Sequence, residues 1–191
     1  WDDAVAAVCQ METEPDWTPG ARAGYHSSTS WYILGEAVSR ISSMSFTDLV
    51  RRCVFEPCEM SNSWIGIPED KQEDYGNRIG LMYQTGKSSE PSLIGSRASE
   101  IAMVRPSGNG RGPIRELGHF YEMLLKGGEH VIKPETVKHF TSRQREGLFD
   151  HTFQHDLDWG LGFMVDSNHY GPTTVPYGFG LHASPSTFGH G

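Results

Sequence analysis

The sequence predicts an α+β fold, with helices and loops over residues 1–147 and strands over residues 148–191. Apolar residues recur every three or four positions in five segments before residue 142, as they do in amphipathic helices. After Gly147 they come in short runs punctuated by glycine, which is typical of strands and turns. A hydrophobic content of 37% against 21% charged residues is enough for a buried core.

The first two helices are predicted from their apolar spacing. The first covers residues 1–11 and ends before the proline- and glycine-containing stretch at 15–20. The second starts near Trp31, with Ser28 or Ser30 as its N-cap. The apolar stripe of this second helix consists of Leu34, Ala37, Val38 and Ile41.

A third helix is predicted to start at Ser45, because a serine followed three residues later by Asp48 has the spacing of a capping box. Pro57 ends this helix. Residues 61–112 lose the periodicity and are rich in Gly, Ser and Pro, so we interpret them as surface loops bordering a functional site. The side chains expected to be buried on the third helix are Leu49, Val50, Cys53 and Val54.

The last two helices and the strands follow from turn residues. Pro113 fits the first turn of a helix that ends at the glycine pair 127–128. Pro134 opens a shorter helix. Beyond it, the runs at 159–165 and 177–191 are predicted strands.

Composition excludes several classes of protein. A net charge of -8 argues against sequence-independent nucleic-acid binding, and no run of about 18 apolar residues predicts a transmembrane segment. Three cysteines without CxxC spacing, Cys9, Cys53 and Cys58, predict neither a disulfide framework nor a zinc cluster. We expect them to be buried or half-buried thiols. No cofactor and no metal is expected, and the compartment and the oligomeric state stay open.

Two histidines have the spacing of a metal site. His151 and His155 would share one face if their segment were helical, with Asp150, Asp156 and Asp158 nearby as oxygen ligands. The surrounding charges and the preceding glycine give the segment little helical support. A solvated polar loop is therefore favoured over a metal site.

Tyr25 and His190 are candidates for acid–base chemistry. Tyr25 follows a Pro-Gly turn and precedes a helix, where a loop can present a phenol to a cleft. A phenol acts as a general base only where neighbouring cations favour the phenolate. The alternatives are a tyrosine that covers the end of the following helix and, for His190 between two glycines, a turn histidine. Local pattern alone favours these alternatives.

Eight short motifs follow one another along the chain: Pro-Gly at 19–20, Tyr-His-Ser at 25–27, Leu-Gly-Glu at 34–36, Pro-Cys-Glu-Met at 57–60, the run at 115–129, Pro-Glu-Thr-Val at 134–137, Trp-Gly-Leu-Gly-Phe at 159–163 and Phe-Gly-His-Gly at 188–191. Their order resembles that of serine β-lactamase-related proteins over nearly the whole chain. The esterase branch is most similar, since it has His-Gly-Gly where class C β-lactamases and D-alanyl-D-alanine peptidases have Lys-Thr-Gly.

The resemblance implies acyl transfer through an acyl-serine, with a Ser-x-x-Lys nucleophile, a tyrosine and a Lys/His-x-Gly strand. Tyr25 matches the motif tyrosine, which would pass a proton between nucleophile and leaving group, and His190 matches the first residue of the third motif. Ser27, Gly191 and Trp159 are implied to line the substrate site. The implied fold is β-lactamase/transpeptidase-like: a helical lobe, an antiparallel sheet flanked by helices, and a cleft between them.

The nucleophile of that family is missing from this sequence, because no lysine has a serine three residues before it. The chain begins with Trp1 and stops directly after a strand-like run. We therefore expect a single incomplete domain over 1–191, with the helical lobe and loops at 1–147 and returning strands at 148–191. Alone, it is expected to be inactive.

Two departures from the family pattern refine the expected substrate. Ser27 stands where many relatives have Asn, and it cannot offer an amide to a β-lactam side chain. His190 replaces lysine and is only partly charged near neutral pH, which weakens carboxylate recognition. The sequence thus predicts a serine hydrolase of small acyl esters, whose partner is a small-molecule ester or amide. The alternatives are a non-catalytic scaffold or binding module, and a β-lactamase or D-alanyl-D-alanine carboxypeptidase.

Overall fold

The computed structural model describes residues 1–84, 92–176 and 178–190. The chain divides into two compact units that interleave in sequence. The first unit consists of Trp1–Gln10 and Ser28–Phe120, and the second of Met11–Ser27 and Tyr121–Gly191.

Short elements make up both units. The helices are α1 (Asp2–Cys9), α2 (Thr29–Ser42), α3 (Phe46–Val50), α4 (Glu69–Tyr75), α5 (Ala98–Ala102), α6 (Ile114–Leu125) and α7 (Pro134–Thr141). The strands are β1 (Trp64–Ile65), β2 (Met82–Gln84), β3 (Ser92–Ile94), β4 (Gly110–Arg111), β5 (Phe149–Asp150), β6 (His155–Asp156), β7 (Asp158–Trp159), β8 (Met164–Val165) and β9 (Phe188–Gly189). A π-helical turn at Arg51–Phe55 continues α3, and 3-10 turns lie at Gly76–Arg78 and Asn168–Tyr170.

In the first unit, the indole of Trp1 holds α1, α2 and α3 together. Its ring lies 5.3 Å from that of Tyr32 and stacks on Phe46 at 5.5 Å. Its Nε1–H donates to Glu36 Oε2 over 2.6 Å. A Cβ at position 35 would lie 2.7 Å from the Trp1 ring, so only Gly35 allows this approach.

The predicted helices of this unit are present, and Ser45 caps α3 as expected. The Ser45 hydroxyl accepts from Asp48 N at 3.1 Å and donates to the Asp48 carboxylate at 2.6 Å. Ser28 is the N-cap residue of α2, but its side chain makes no capping hydrogen bond.

The expected burial of the apolar and thiol side chains is partly wrong. The α2 stripe lies largely in solvent, since Leu34 and Val38 are exposed and Ile41 is 86% exposed. Cys58 is buried, whereas Cys9 and Cys53 are exposed. Helical spacing identified the helix correctly but does not say what covers its apolar face.

The stretch 61–112, interpreted as loops, contains short elements in its described part. Strands β1 and β4 pair antiparallel, as do β2 and β3, and helices α4 and α5 lie between them in sequence. Residues 85–91 lie outside the described residues. The strands are only two or three residues long, too short to show a two-residue period.

In the second unit, a three-stranded antiparallel sheet has the order β7-β8-β9. The predicted strand run at 159–165 is its first hairpin. Of the run at 177–191, only Phe188–Gly189 is a strand; residues 178–187 form turns, and Tyr177 and Gly191 are not described. Leu157, Trp159 and Met164 form the buried core.

The helices and antiparallel ladders confirm the α+β class. Among the described residues, no helix has the length and apolar character required to cross a membrane.

Candidate active site

The segment that carries Tyr25 is attached to strand β5 of its own unit. Ala23 forms a parallel bridge with Asp150, and His151 N donates to Ala23 O at 2.9 Å. Tyr25 N donates to Asp150 Oδ1 at 3.2 Å, and Thr152 Oγ1 donates to Tyr25 O at 3.0 Å. Both polar groups of the Tyr25 backbone are therefore held by residues 150–152.

The half-buried ring of Tyr25 packs on aromatic residues of this unit. It stacks on Trp159 with the ring centroids 5.4 Å apart and the planes 18° apart. Phe153 packs against it at 5.2 Å. These contacts fix the plane of the phenol, so its hydroxyl has a defined direction.

The structure brings His190 to Tyr25 although the two residues are 165 positions apart. Tyr25 Oη and His190 Nε2 are separated by 3.4 Å, a long hydrogen bond whose direction depends on the imidazole tautomer. The His190 ring also meets Trp159 edge-on at 5.8 Å. His190 is exposed, so its imidazole is accessible to solvent and to a ligand.

The register of the sheet explains the position of His190. Trp159 pairs with Met164, and Met164 pairs with Gly189, so the three residues form one row across the strands. His190 follows this row directly. A Cβ at Gly189 would lie 3.0 Å from the Phe179 ring, which favours glycine there.

Trp159 lies beneath both candidate side chains and carries a buried donor. Its side chain is 8% exposed, and its Nε1–H has no hydrogen-bond partner among the protein groups that the structure describes. The Arg145 guanidinium lies 5.5 Å from its ring. This indole donor is buried, so its lack of a described partner sets it apart from most buried polar groups.

Two fully buried carboxylates, which the sequence identified only as potential metal ligands, support the site. Asp150 pairs with Arg145 at 2.8 Å and Asp158 with Arg143 at 2.7 Å. Burial alone would raise the pKa of Asp150, but hydrogen bonds from Phe153, Tyr25 and Thr152 backbone groups and from Arg145 outweigh it and lower the pKa. Asp150 is therefore held as an anion.

The structure does not bring His151 and His155 together as a helical pair. His151 lies in a turn and packs on the rings of Trp17 and Phe149. His155 lies in β6 and bonds to the Asp156 carbonyl and to Thr174.

A different group of side chains has ligand atoms close together. Among the described residues, Glu146, Asp158 and His169 offer such atoms within 4.8 Å of one another. Asp158 already pairs with Arg143, whose positive charge opposes a cation at this position.

The remaining predicted residues lie around Tyr25 and His190 in sequence. Ser27 is exposed, and Gly191 lies outside the described residues. His26, which the sequence did not single out, bonds to Gly24 O at 2.9 Å and to Glu14 at 3.2 Å. The Gly24 carbonyl and then Glu14 raise the pKa of His26 above its ordinary value of 6.5.

The chain matches the model of one protein family, described as Beta-lactamase, over residues 1–191. A β-lactamase from Yersinia enterocolitica is 31% identical over 65 residues, which cover 34% of this chain and 16% of that protein.

Solved structures show the same fold. A penicillin-binding protein homolog from Caulobacter crescentus is 24% identical with a TM-score of 0.70, covering 97% of this chain and 52% of that one. EstA from Arthrobacter nitroguajacolicus Rue61a is 21% identical with a TM-score of 0.71, covering 99% of this chain and 53% of that one. The expected β-lactamase/transpeptidase-like fold is confirmed, and the chain spans about half the length of these two structures.

Proposed function

The chain belongs to the Beta-lactamase family, which includes hydrolases, and from this we propose that it carries the tyrosine and histidine of a serine esterase site. The substrate is a small acyl ester, and the reaction passes through an acyl-serine. Because no Ser-x-x-Lys occurs in these 191 residues, the nucleophile and its lysine come from outside this chain.

The observation that carries the proposal is the 3.4 Å approach of Tyr25 Oη to His190 Nε2 on the Trp159 ring. In the reaction, Tyr25 starts as a phenolate held by the lysine of the Ser-x-x-Lys. The serine oxygen bonds to the ester carbonyl carbon, the carbonyl oxygen becomes an oxyanion, and the serine proton passes to the Tyr25 oxygen. When the oxyanion collapses, the ester C–O bond breaks and Tyr25 gives its proton to the departing alkoxide. Water then attacks the acyl-serine and gives a proton to Tyr25, which returns it to the serine oxygen as the acid is released. His190 donates a hydrogen bond to the Tyr25 oxygen.

Three further residues are proposed to line the substrate site. The ring contacts of Trp159 with Tyr25 at 5.4 Å and with His190 at 5.8 Å support this role, since they place it beside both candidate side chains. Gly191 follows His190, and the lack of a side chain there would keep the strand edge open to a substrate. Ser27, two residues beyond Tyr25, offers a short hydroxyl in an exposed position.

The preference for esters rests on Ser27 and His190. A serine hydroxyl reaches less far than an asparagine amide, and an imidazole offers a carboxylate fewer N–H donors than the three of a lysine ammonium. An ester that has neither an amide side chain nor a carboxylate does not need the asparagine or the lysine, so Ser27 and His190 do not weaken its binding.

The test is an ester hydrolysis assay on the chain expressed together with its flanking coding sequence. With p-nitrophenyl acetate, Tyr25→Phe is expected to lower kcat at least about a hundredfold, since proton transfer by a positioned group contributes that much. Tyr83→Phe is the matched control, because Tyr83 is an exposed tyrosine on β2. Unchanged turnover in Tyr25→Phe would remove Tyr25 as the proton carrier.

A non-catalytic scaffold or binding module is the second candidate, favoured by the absence of Ser-x-x-Lys from the sequence. The flanking coding sequence separates the two. A flanking segment without Ser-x-x-Lys, together with no release of p-nitrophenol, would establish the scaffold.

A further inference from the structure

We propose that Asp150 is a positioning residue that holds the Tyr25 phenol over Trp159. This inference rests on the proposed function, in which Tyr25 carries the proton. Asp150 has no access to solvent, and it contacts Tyr25 through the backbone N–H.

One carboxylate oxygen of Asp150 fixes the Tyr25 segment and its neighbours. Oδ1 accepts from Tyr25 N at 3.2 Å, from Thr152 N at 2.9 Å and from Phe153 N at 3.1 Å. Hydrogen bonds to a buried anion are stronger than those between neutral groups. Three amides on two distant segments therefore share one acceptor.

The other two amides belong to residues that contact Tyr25. The Thr152 hydroxyl donates to Tyr25 O at 3.0 Å, and the Phe153 ring packs on the Tyr25 ring at 5.2 Å. Asp150 thus holds the Tyr25 N–H directly. Through the amides of Thr152 and Phe153, it also holds the two residues that contact the Tyr25 carbonyl and the Tyr25 ring.

The second oxygen of Asp150 connects this arrangement to the aromatic platform. Oδ2 accepts from Arg145 Nη2 at 2.8 Å. Arg145 N donates to Trp159 O at 2.9 Å, and Trp159 N donates to Arg145 O at 3.0 Å. The Arg145 guanidinium lies 5.5 Å from the centre of the Trp159 ring. Asp150 therefore links the residue that carries the phenol to the ring on which the phenol rests.

Asp158 provides a matched control within the same unit. It is the other fully buried aspartate, and it pairs with Arg143 at 2.7 Å. Its carboxylate also contacts Tyr170 Oη at 3.0 Å, Gly147 N at 3.4 Å and His169 Nε2 at 3.5 Å, and none of these groups belongs to the Tyr25 segment. Replacing Asp158 should therefore remove a buried ion pair and leave the hydrogen bonds of Tyr25 in place.

The experiment uses fluorine and amide NMR on the whole chain, labelled with 3-fluorotyrosine. Tyr25→Phe and Tyr170→Phe assign the two resonances. Asp150→Asn is expected to move the Tyr25 fluorine resonance toward its denatured position, leaving that of Tyr170 in place. The Tyr25 amide should exchange about tenfold faster or more, since its charged acceptor is lost. Asp158→Asn should move Tyr170 and not Tyr25.

The proposal is overturned if the Tyr25 resonance stays in place in Asp150→Asn, or moves equally in Asp158→Asn. If Asp150→Asn does not fold, Asp150→Glu provides the test, because it keeps the charge and displaces both carboxylate oxygens. A shift of Tyr25 toward its denatured position supports the proposal, and no shift overturns it. None of these signals requires turnover. Unchanged ester turnover in Tyr25→Phe would therefore refute the proposed role of Tyr25 without affecting this NMR measurement.

Discussion

Replacing Trp159 by phenylalanine and, separately, by leucine tests whether aromatic stacking holds the sheet and the Tyr25 segment together. Trp159 meets the rings of Tyr25 at 5.4 Å, His190 at 5.8 Å and Phe153 at 6.3 Å. Trp159→Phe keeps a ring and loses no hydrogen bond to a described protein group, so it should cost about 1 kcal/mol. Trp159→Leu loses three ring contacts at roughly 1 kcal/mol each, about 3 kcal/mol altogether.

The assay is amide exchange at Val165, a buried residue of the central strand β8. Because about 1.4 kcal/mol corresponds to a factor of ten, exchange should be about fivefold faster in Trp159→Phe and about a hundredfold faster in Trp159→Leu. Leu157→Ala, from the same core and 1% exposed, is the control that destabilises without removing a ring. Of these three variants, only Trp159→Leu should displace the Tyr25 fluorine resonance toward its denatured position.

Equal acceleration in the two Trp159 variants would refute a contribution from stacking. So would a Tyr25 displacement in Leu157→Ala as large as that in Trp159→Leu, because loosening of the core alone would then explain it.

Further predictions concern a close backbone approach and a pH-dependent pair. A Cβ at Gly160 would overlap the Phe140 carbonyl oxygen, so Gly160→Ala should destabilise by about 2 kcal/mol or more in urea unfolding; equal stability would contradict this. Gly118→Ala, in α6 with open space around its Cβ, should instead stabilise by about 0.5–1 kcal/mol in the same assay. NMR titration should place the His26 pKa above 6.5, and Glu14→Gln should lower it without returning it fully, because the first cause is the Gly24 carbonyl. The stability from this raised pKa is present below pH 6.5 and is lost as the pH rises through the folded-state value; a His26 pKa unchanged in Glu14→Gln would count against the pair.

The longer helices could be predicted from the sequence because their signals are local. Helix α6 follows Pro113, repeats apolar residues on one face and stops before the glycine pair at 127–128. The strands in 61–112 could not be found this way. Trp64 of β1 pairs with Arg111 of β4, so distant partners, and not local periodicity, define those strands.

The grouping of three candidate side chains could be predicted from the sequence, but the residues that hold them could not. Motif order placed Tyr25, Trp159 and His190 in one site, and the structure brings the three side chains together. The contact of Asp150 with Tyr25 spans 125 positions, and nothing in the local sequence distinguishes a buried anchor from an exposed acid. The spacing of His151 and His155 would have suited a metal site only on a helix, and the structure places His151 in a turn and His155 in β6.

Two buried aspartate–arginine pairs divide the support of the site between its two parts. Asp158 and Arg143 serve the sheet hairpin, since Arg143 also donates to the backbone after β8, at Asp166 O over 2.6 Å. Asp150 and Arg145 serve the segment that carries Tyr25. Removing one member of a buried ion pair leaves the other charge unpaired, which is strongly destabilising. Each pair therefore stabilises the segment that it contacts. All of these residues belong to one compact unit of the chain. In the proposed function, the serine nucleophile would therefore meet a Tyr25–His190 pair whose supporting segments are held by two separate ion pairs.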